Sequence, residues 1–80
     1  MNVKVIESII ARLEKFLISD QNIIRDCEAF ISTHSSPLYT EAVSTLKKKI
    51  DFFTPNVESL TEEITELKSL LAEYYDGKID

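Results

Sequence analysis

The side chains of this 80-residue chain that are best suited to chemistry are one cysteine, one histidine and a group of glutamates. A nucleophilic cysteine needs an exposed thiol with a base within hydrogen-bond reach. Cys27 and His34 are seven residues apart, and Cys27 falls on the apolar seam of a predicted helix. We therefore expect Cys27 to be a small core residue and His34 to be a solvated turn residue, without a catalytic role.

The glutamates lie close together in the second half of the chain, with i, i+4 neighbours among them: Glu58, Glu62, Glu63 and Glu66. Carboxylate bundles that bind two irons combine glutamate with a histidine three residues further on, and no histidine stands there. The spacing therefore predicts a solvated helix face, with no metal, no cofactor and no enzyme activity. An alternative is that this acidic row imitates a nucleic-acid backbone and inhibits a basic partner.

The net charge is −5, and residues 58–80 carry all of it, since they contain seven acids and two lysines. The single basic run is Lys47 to Lys49. Affinity for nucleic acid depends largely on clustered lysine and arginine. We therefore expect no direct binding of nucleic acid.

The N-terminal segment lacks the basic start and continuous apolar run of a signal peptide, and no stretch is apolar enough to span a membrane. The expected location is cytoplasmic, without membrane contact. Hydrophobic residues make up 44% of the chain, which contains one glycine, so disorder is not expected. A chain of eighty residues is expected to form one domain, residues 1–80, with a small hydrophobic core. Binding of a partner would add to its stability.

Two long apolar seams with alternating steps of three and four residues predict an all-α fold. The first seam consists of Val3, Ile6, Ile10, Leu13, Leu17, Asp20, Ile24, Cys27 and Ile31. The second consists of Tyr39, Val43, Leu46, Ile50, Phe53, Val57, Leu60, Ile64, Leu67, Leu71 and Tyr74. Together they predict a coiled-coil-like antiparallel helical hairpin with arms 2–32 and 37–75, a turn at 33–36 and a short acidic tail at 76–80.

Each arm has one weak point, Ser19-Asp20 in the first and Thr54-Pro55 in the second, where a new helix could be capped. Four shorter helices are therefore an alternative. Both seams run through these sites without a change of phase, which favours two long helices with a kink at Pro55. Asp20 has three interpretations: a helix cap, a polar residue that fixes the register, or an exposed group. An ion pair with Lys47–Lys49 is a further expectation.

The first arm carries a second row of large apolar side chains beside its seam, which we call the apolar row: Ile9, Phe16, Ile23 and Phe30. A stripe this wide is typical of helices with more than one neighbour. The second neighbour is expected to be a partner protein or a second copy of the chain, pairing into a four-helix bundle. Phe52 is predicted to join this partner-binding surface, and Leu38, Leu70 and Tyr75 could complete it.

The leading hypothesis is thus a protein-binding module, such as an adaptor, a small chaperone or a regulator. The alternatives are a structural homodimer, an acidic inhibitor, and a row that closes inside the monomer. The plan of a short acidic helical hairpin with a surplus apolar row resembles the small co-chaperones that guard needle subunits in type III secretion systems. The resemblance is an analogy of architecture only, and no residue role is transferred from it.

Overall fold

The protein is a helical hairpin, described for residues 1–78 by a computed structural model. Helix α1 spans Val3–Thr33, a 3-10 turn spans Pro37–Tyr39, and helix α2 spans Thr40–Tyr75. The helices run antiparallel, because Glu7 near the start of α1 contacts Tyr75 at the end of α2. The predicted all-α antiparallel hairpin is confirmed, and residues 79 and 80 of the predicted tail lie outside the described residues.

The helix ends are closed by local hydrogen bonds. The Asn2 side chain accepts a hydrogen bond from the Val5 N–H at 3.2 Å and so caps α1. The Ser36 hydroxyl accepts one from the Leu38 N–H at 3.3 Å, directly before Pro37. After α2, Gly77 has a φ of 76° and the Lys78 N–H donates to the Glu73 carbonyl, the Schellman arrangement that glycine favours.

Both helices continue through their weak points, so the alternative of four shorter helices is wrong. Pro55 stands inside α2 on its outer face, and both Pro55 and Asp51, whose carbonyl loses its N–H partner, are exposed residues. The Thr54 hydroxyl donates to the Ile50 carbonyl oxygen at 2.7 Å. Packing of the two seams, which keep their phase through both sites, outweighs the local preference for a helix end there.

The seams form the core. Every residue of the first seam is at least half-buried, and in the second seam Tyr39, at 38% exposure, is the one exception. Ile10, Cys27 and Ile64 are the buried apolar residues among those described, each 6% exposed. No described side chain is completely enclosed, because two helices alone cannot surround a residue.

The hairpin is a rod of 60 × 15 × 15 Å. Its radius of gyration is 18.0 Å, whereas a compact domain of this length has about 12 Å. Among residues 1–78, neither helix contains an apolar stretch long enough to cross a membrane.

Candidate protein-binding surface

The two flanks of the hairpin differ in polarity. One flank, the polar side, is bridged by side chains from both helices: the Tyr75 hydroxyl donates to Glu7 Oε1 at 2.9 Å, and Lys68 Nζ lies 3.5 Å from Glu14 Oε2. Exposed pairs of this kind contribute little stability, but they leave this flank polar. The hydrogen bond to Glu7 is the main reason why the pKa of Tyr75 is raised above its ordinary value.

The opposite flank, which we call the apolar side, carries the apolar row. Seven-residue spacing places the four residues on one edge of α1, next to the seam. Phe16 is 60% exposed and Ile9 is 39% exposed, whereas Ile23 and Phe30 are half-buried. The exposed part of the row therefore lies in the first half of α1.

Residues of α2 lie beside Phe16 on this side. An open groove between the helices is lined by Phe16, Asp20, Asn56, Ser59, Leu60 and Glu63. The Ser59 hydroxyl donates to Glu63 Oε1 at 3.4 Å. Phe16 therefore stands at the edge of a groove whose far wall is polar, and α2 does not cover it.

The end of the row next to the turn is covered by the chain itself. The Phe30 ring stacks on the His34 ring with centroids 3.7 Å apart, and Tyr39 packs edge-on against both rings. His34 Nδ1 lies 2.9 Å from the Phe30 carbonyl oxygen, so the tautomer with a proton on Nδ1 donates to it. His34 lies in the predicted turn, directly after the end of α1, but its ring is half-buried and not solvated as expected.

Phe52 is 67% exposed and packs edge-on against Phe53 of the seam, with ring centroids 5.2 Å apart. Its helical position lies next to that of Asn56, so it borders the apolar side. Leu70 is half-buried on the same flank, and Leu38 is exposed beside the turn. Tyr75, by contrast, belongs to the polar side and does not extend this surface.

Two exposed apolar residues of α1 were not predicted as surface features. Val5 is 51% exposed and precedes Ile9 by one helical turn, so it lengthens the apolar side. The i, i+4 spacing of Val5 and Ile9 could have indicated from the sequence that Val5 extends the apolar side. Ile18 is 58% exposed, as much as Phe16, but helical phase places it on the opposite flank.

Asp20 lies in the seam and is half-buried against the groove. In residues 1–78 its side chain forms no hydrogen bond or ion pair, and α1 is continuous around it, so the cap interpretation is wrong. The expected ion pair with Lys47–Lys49 is also not formed, because Lys47 lies near the turn with Ile31 and His34. Asp20 instead leaves a polar gap in the seam.

The remaining candidates for chemistry are separated in the structure. Cys27 is a free thiol buried in the seam. Within the described residues, no three side chains among His, Cys, Asp and Glu come together in a way that could hold a metal ion. The glutamates at 58, 62, 63 and 66 are exposed on α2.

The chain matches no protein-family model, and neither the curated proteins nor the solved structures contain a similar protein at a significant level. The functional argument therefore rests on the geometry of the two flanks.

Proposed function

We propose that the protein is a non-enzymatic interaction module, acting as an adaptor, small chaperone or regulator, that binds a helix of a partner protein on its apolar side. The observation that carries this proposal is the exposure of Phe16 and Ile9 on the flank that α2 leaves uncovered. Large apolar surfaces on water-soluble proteins usually mark interaction sites. An amphipathic partner helix that lies along the row would remove these side chains from water.

The energetic argument concerns the exposed members of the row. Full burial of a large apolar side chain is worth roughly 1.5–3 kcal/mol relative to full exposure. More than half of the Phe16 surface and more than a third of the Ile9 surface are exposed in the hairpin. Burying both side chains against a partner would therefore contribute a few kcal/mol to the free energy of binding. Small domains have a total stability of only about 5–15 kcal/mol, so this gain is large on the scale of the chain.

Two further parts of the proposal follow from charge and redox chemistry. Direct nucleic-acid binding is not part of the function, since the net charge is −5 and the basic residues form one short run. A cytoplasmic site of action is also part of the proposal, and the buried free thiol of Cys27 is compatible with it.

A binding experiment with matched variants tests the proposal. Immobilised wild type, Phe16→Glu and Ile18→Glu are offered to extract of the source cells, and retained proteins are compared. We expect a partner that is retained by wild type and Ile18→Glu and lost with Phe16→Glu. The two replaced side chains have nearly equal exposure on one helix but lie on opposite flanks. Equal retention by all three proteins would contradict the proposal, provided that circular dichroism shows unchanged helix content.

A further inference from the structure

The groove beside Phe16 combines an exposed aromatic ring with two carboxylates. Phe16, Asp20 and Glu63 line the same groove between the helices. Asp20 is half-buried, and Glu63 is exposed. In the part of the chain that the structure describes, neither carboxylate pairs with a lysine or arginine. The groove therefore presents negative charge, without an ion-pair partner, directly beside its apolar surface.

The acidic wall of the groove continues along α2. Glu66 and Glu73 lie seven and fourteen residues after Ser59, which lines the groove, so these three residues share one heptad position on the apolar side. The second half of α2 contains one cation, Lys68, and this lysine pairs with Glu14 on the polar side. The wall beside the groove therefore carries carboxylates with no cation of α2 next to them on the same flank.

Charge changes along the apolar side in step with the exposure of the apolar row. Lys49 shares the heptad position of Glu63 but lies fourteen residues before it, about 21 Å along the helix axis. Because the helices are antiparallel, Lys49 lies towards the turn, where the row is covered at Phe30. The exposed members of the row, Phe16 and Ile9, lie towards the acidic wall instead. The surface that is free to bind is thus the acidic part of this flank.

We propose that the helix bound on the apolar side is cationic, with lysine or arginine along the edge of its apolar stripe that faces α2. One of these side chains enters the groove between Asp20 and Glu63. The inference rests on the proposed function, because it uses the same surface, and it states the chemistry of the occupant. The other edge of the bound helix lies over exposed Arg12, which borders the row on α1. The cations are therefore expected on one edge only.

The physical reason for a cationic partner is the state of the carboxylates once the groove is covered. An apolar stripe that packs on Phe16 excludes water, and this strengthens the attraction of Asp20 and Glu63 for a cation. A neutral or acidic helix could cover Phe16 equally well, but it would desolvate the two carboxylates without pairing them, which is unfavourable. A cation in the groove also gives Asp20 a function that compensates for the interrupted seam.

Two synthetic peptides test the inference by fluorescence anisotropy with the purified full chain. Each is an amphipathic helix of about 18 residues with the same leucine stripe, and its polar positions are lysine in one peptide and glutamate in the other. We expect the lysine peptide to bind the wild type at least about tenfold more tightly than the glutamate peptide. Its affinity should fall about tenfold with Phe16→Ala, which removes the apolar contact, and less than about twofold with Ile18→Ala on the opposite flank.

Charge variants separate a contact in the groove from attraction to the overall net charge. Asp20→Asn and Glu63→Gln should each weaken binding of the lysine peptide about three- to tenfold. Glu58→Gln changes the net charge by the same amount, but Glu58 is exposed and helical phase places it on the polar side. It should therefore weaken binding less than about twofold. Circular dichroism checks that all variants keep the helix content of the wild type.

Three results would overturn the inference. Equal affinity of the two peptides for the wild type, or no binding of either, shows that the groove does not select a cationic helix. Equal losses with Glu58→Gln and Glu63→Gln show that the attraction is to overall charge. A wild-type dimer in sedimentation equilibrium that the lysine peptide does not dissociate shows that a second copy occupies this side.

The proposed function is judged separately from its charge selectivity. If both peptides bind equally and Phe16→Ala weakens both, or if a captured partner is lost with Phe16→Glu, the apolar side is still a binding surface and only the cationic partner is wrong. If no binding depends on position 16, the proposed function fails together with the inference.

Discussion

Asp20 interrupts the apolar seam of α1, and its replacement by leucine is expected to stabilise the hairpin. The side chain is half-buried, lines the groove beside Phe16 and Leu60, and has no hydrogen-bond or ion-pair partner in residues 1–78. A leucine that is half-buried there gains about half of the 1.5–3 kcal/mol of full burial. Its higher helix propensity adds about 0.5 kcal/mol. The free energy of unfolding should therefore rise by about 1–2 kcal/mol.

Urea unfolding followed by circular dichroism measures this free energy. For a domain of this size, about 4–8 °C in Tm corresponds to 1 kcal/mol, so a rise of about 5–15 °C is expected in thermal melts. Asp51→Leu is the matched control, because Asp51 is exposed on the outer face of α2 and gains only helix propensity. Repeating the melts at about hundredfold different protein concentrations separates stability from association. If Asp20→Leu is no more stable than Asp51→Leu, Asp20 does not occupy a seam site.

Three further perturbations test the hairpin. Ile64→Ala should cost about 2–5 kcal/mol in urea unfolding, since Ile64 is among the most buried residues; a loss below about 1 kcal/mol would contradict its place in the core. Pro55→Ala should stabilise by about 1–3 kcal/mol, because alanine restores an N–H inside α2; destabilisation in the same assay would count against a continuous helix. The pKa of Tyr75 is raised in the folded chain. The stabilisation that the protonated Tyr75 side chain gives the fold is therefore complete below the ordinary tyrosine pKa and is lost as pH rises through the raised value. Glu7→Gln should lower that pKa in an absorbance titration, and an unchanged titration would refute the hydrogen bond.

The paired helices could be predicted from the sequence because one repeated physical requirement, burial of a seam, leaves its mark at every third or fourth residue. Local signals for a helix end contribute less free energy than the packing of the seams added up along the hairpin. Pro55 and Ser19-Asp20 resemble helix boundaries, yet both helices continue through them. Each site costs a few kcal/mol at most, which is less than the packing energy of seams that extend over the whole rod.

The apolar row could likewise be located from its seven-residue spacing, but the exposure of its members could not. Phe30 is covered because the chain turns directly after it and brings His34 and Tyr39 onto its ring. That contact depends on the conformation of the turn, which seam periodicity does not encode. Tyr75 was assigned to the wrong flank for a similar reason, since its partner Glu7 is 68 residues away in the sequence.

Photo-crosslinking in the source cells tests most directly whether the apolar side is an interface. A photoreactive phenylalanine analogue is placed at position 16 in one chain and at position 18 in another, two sites of nearly equal exposure on opposite flanks. Position 16 is expected to yield a discrete covalent adduct with a protein chain, either a second copy or a partner, while position 18 yields none. Adducts of equal yield at both positions, or none at position 16, would contradict the claim that this side is covered by another chain.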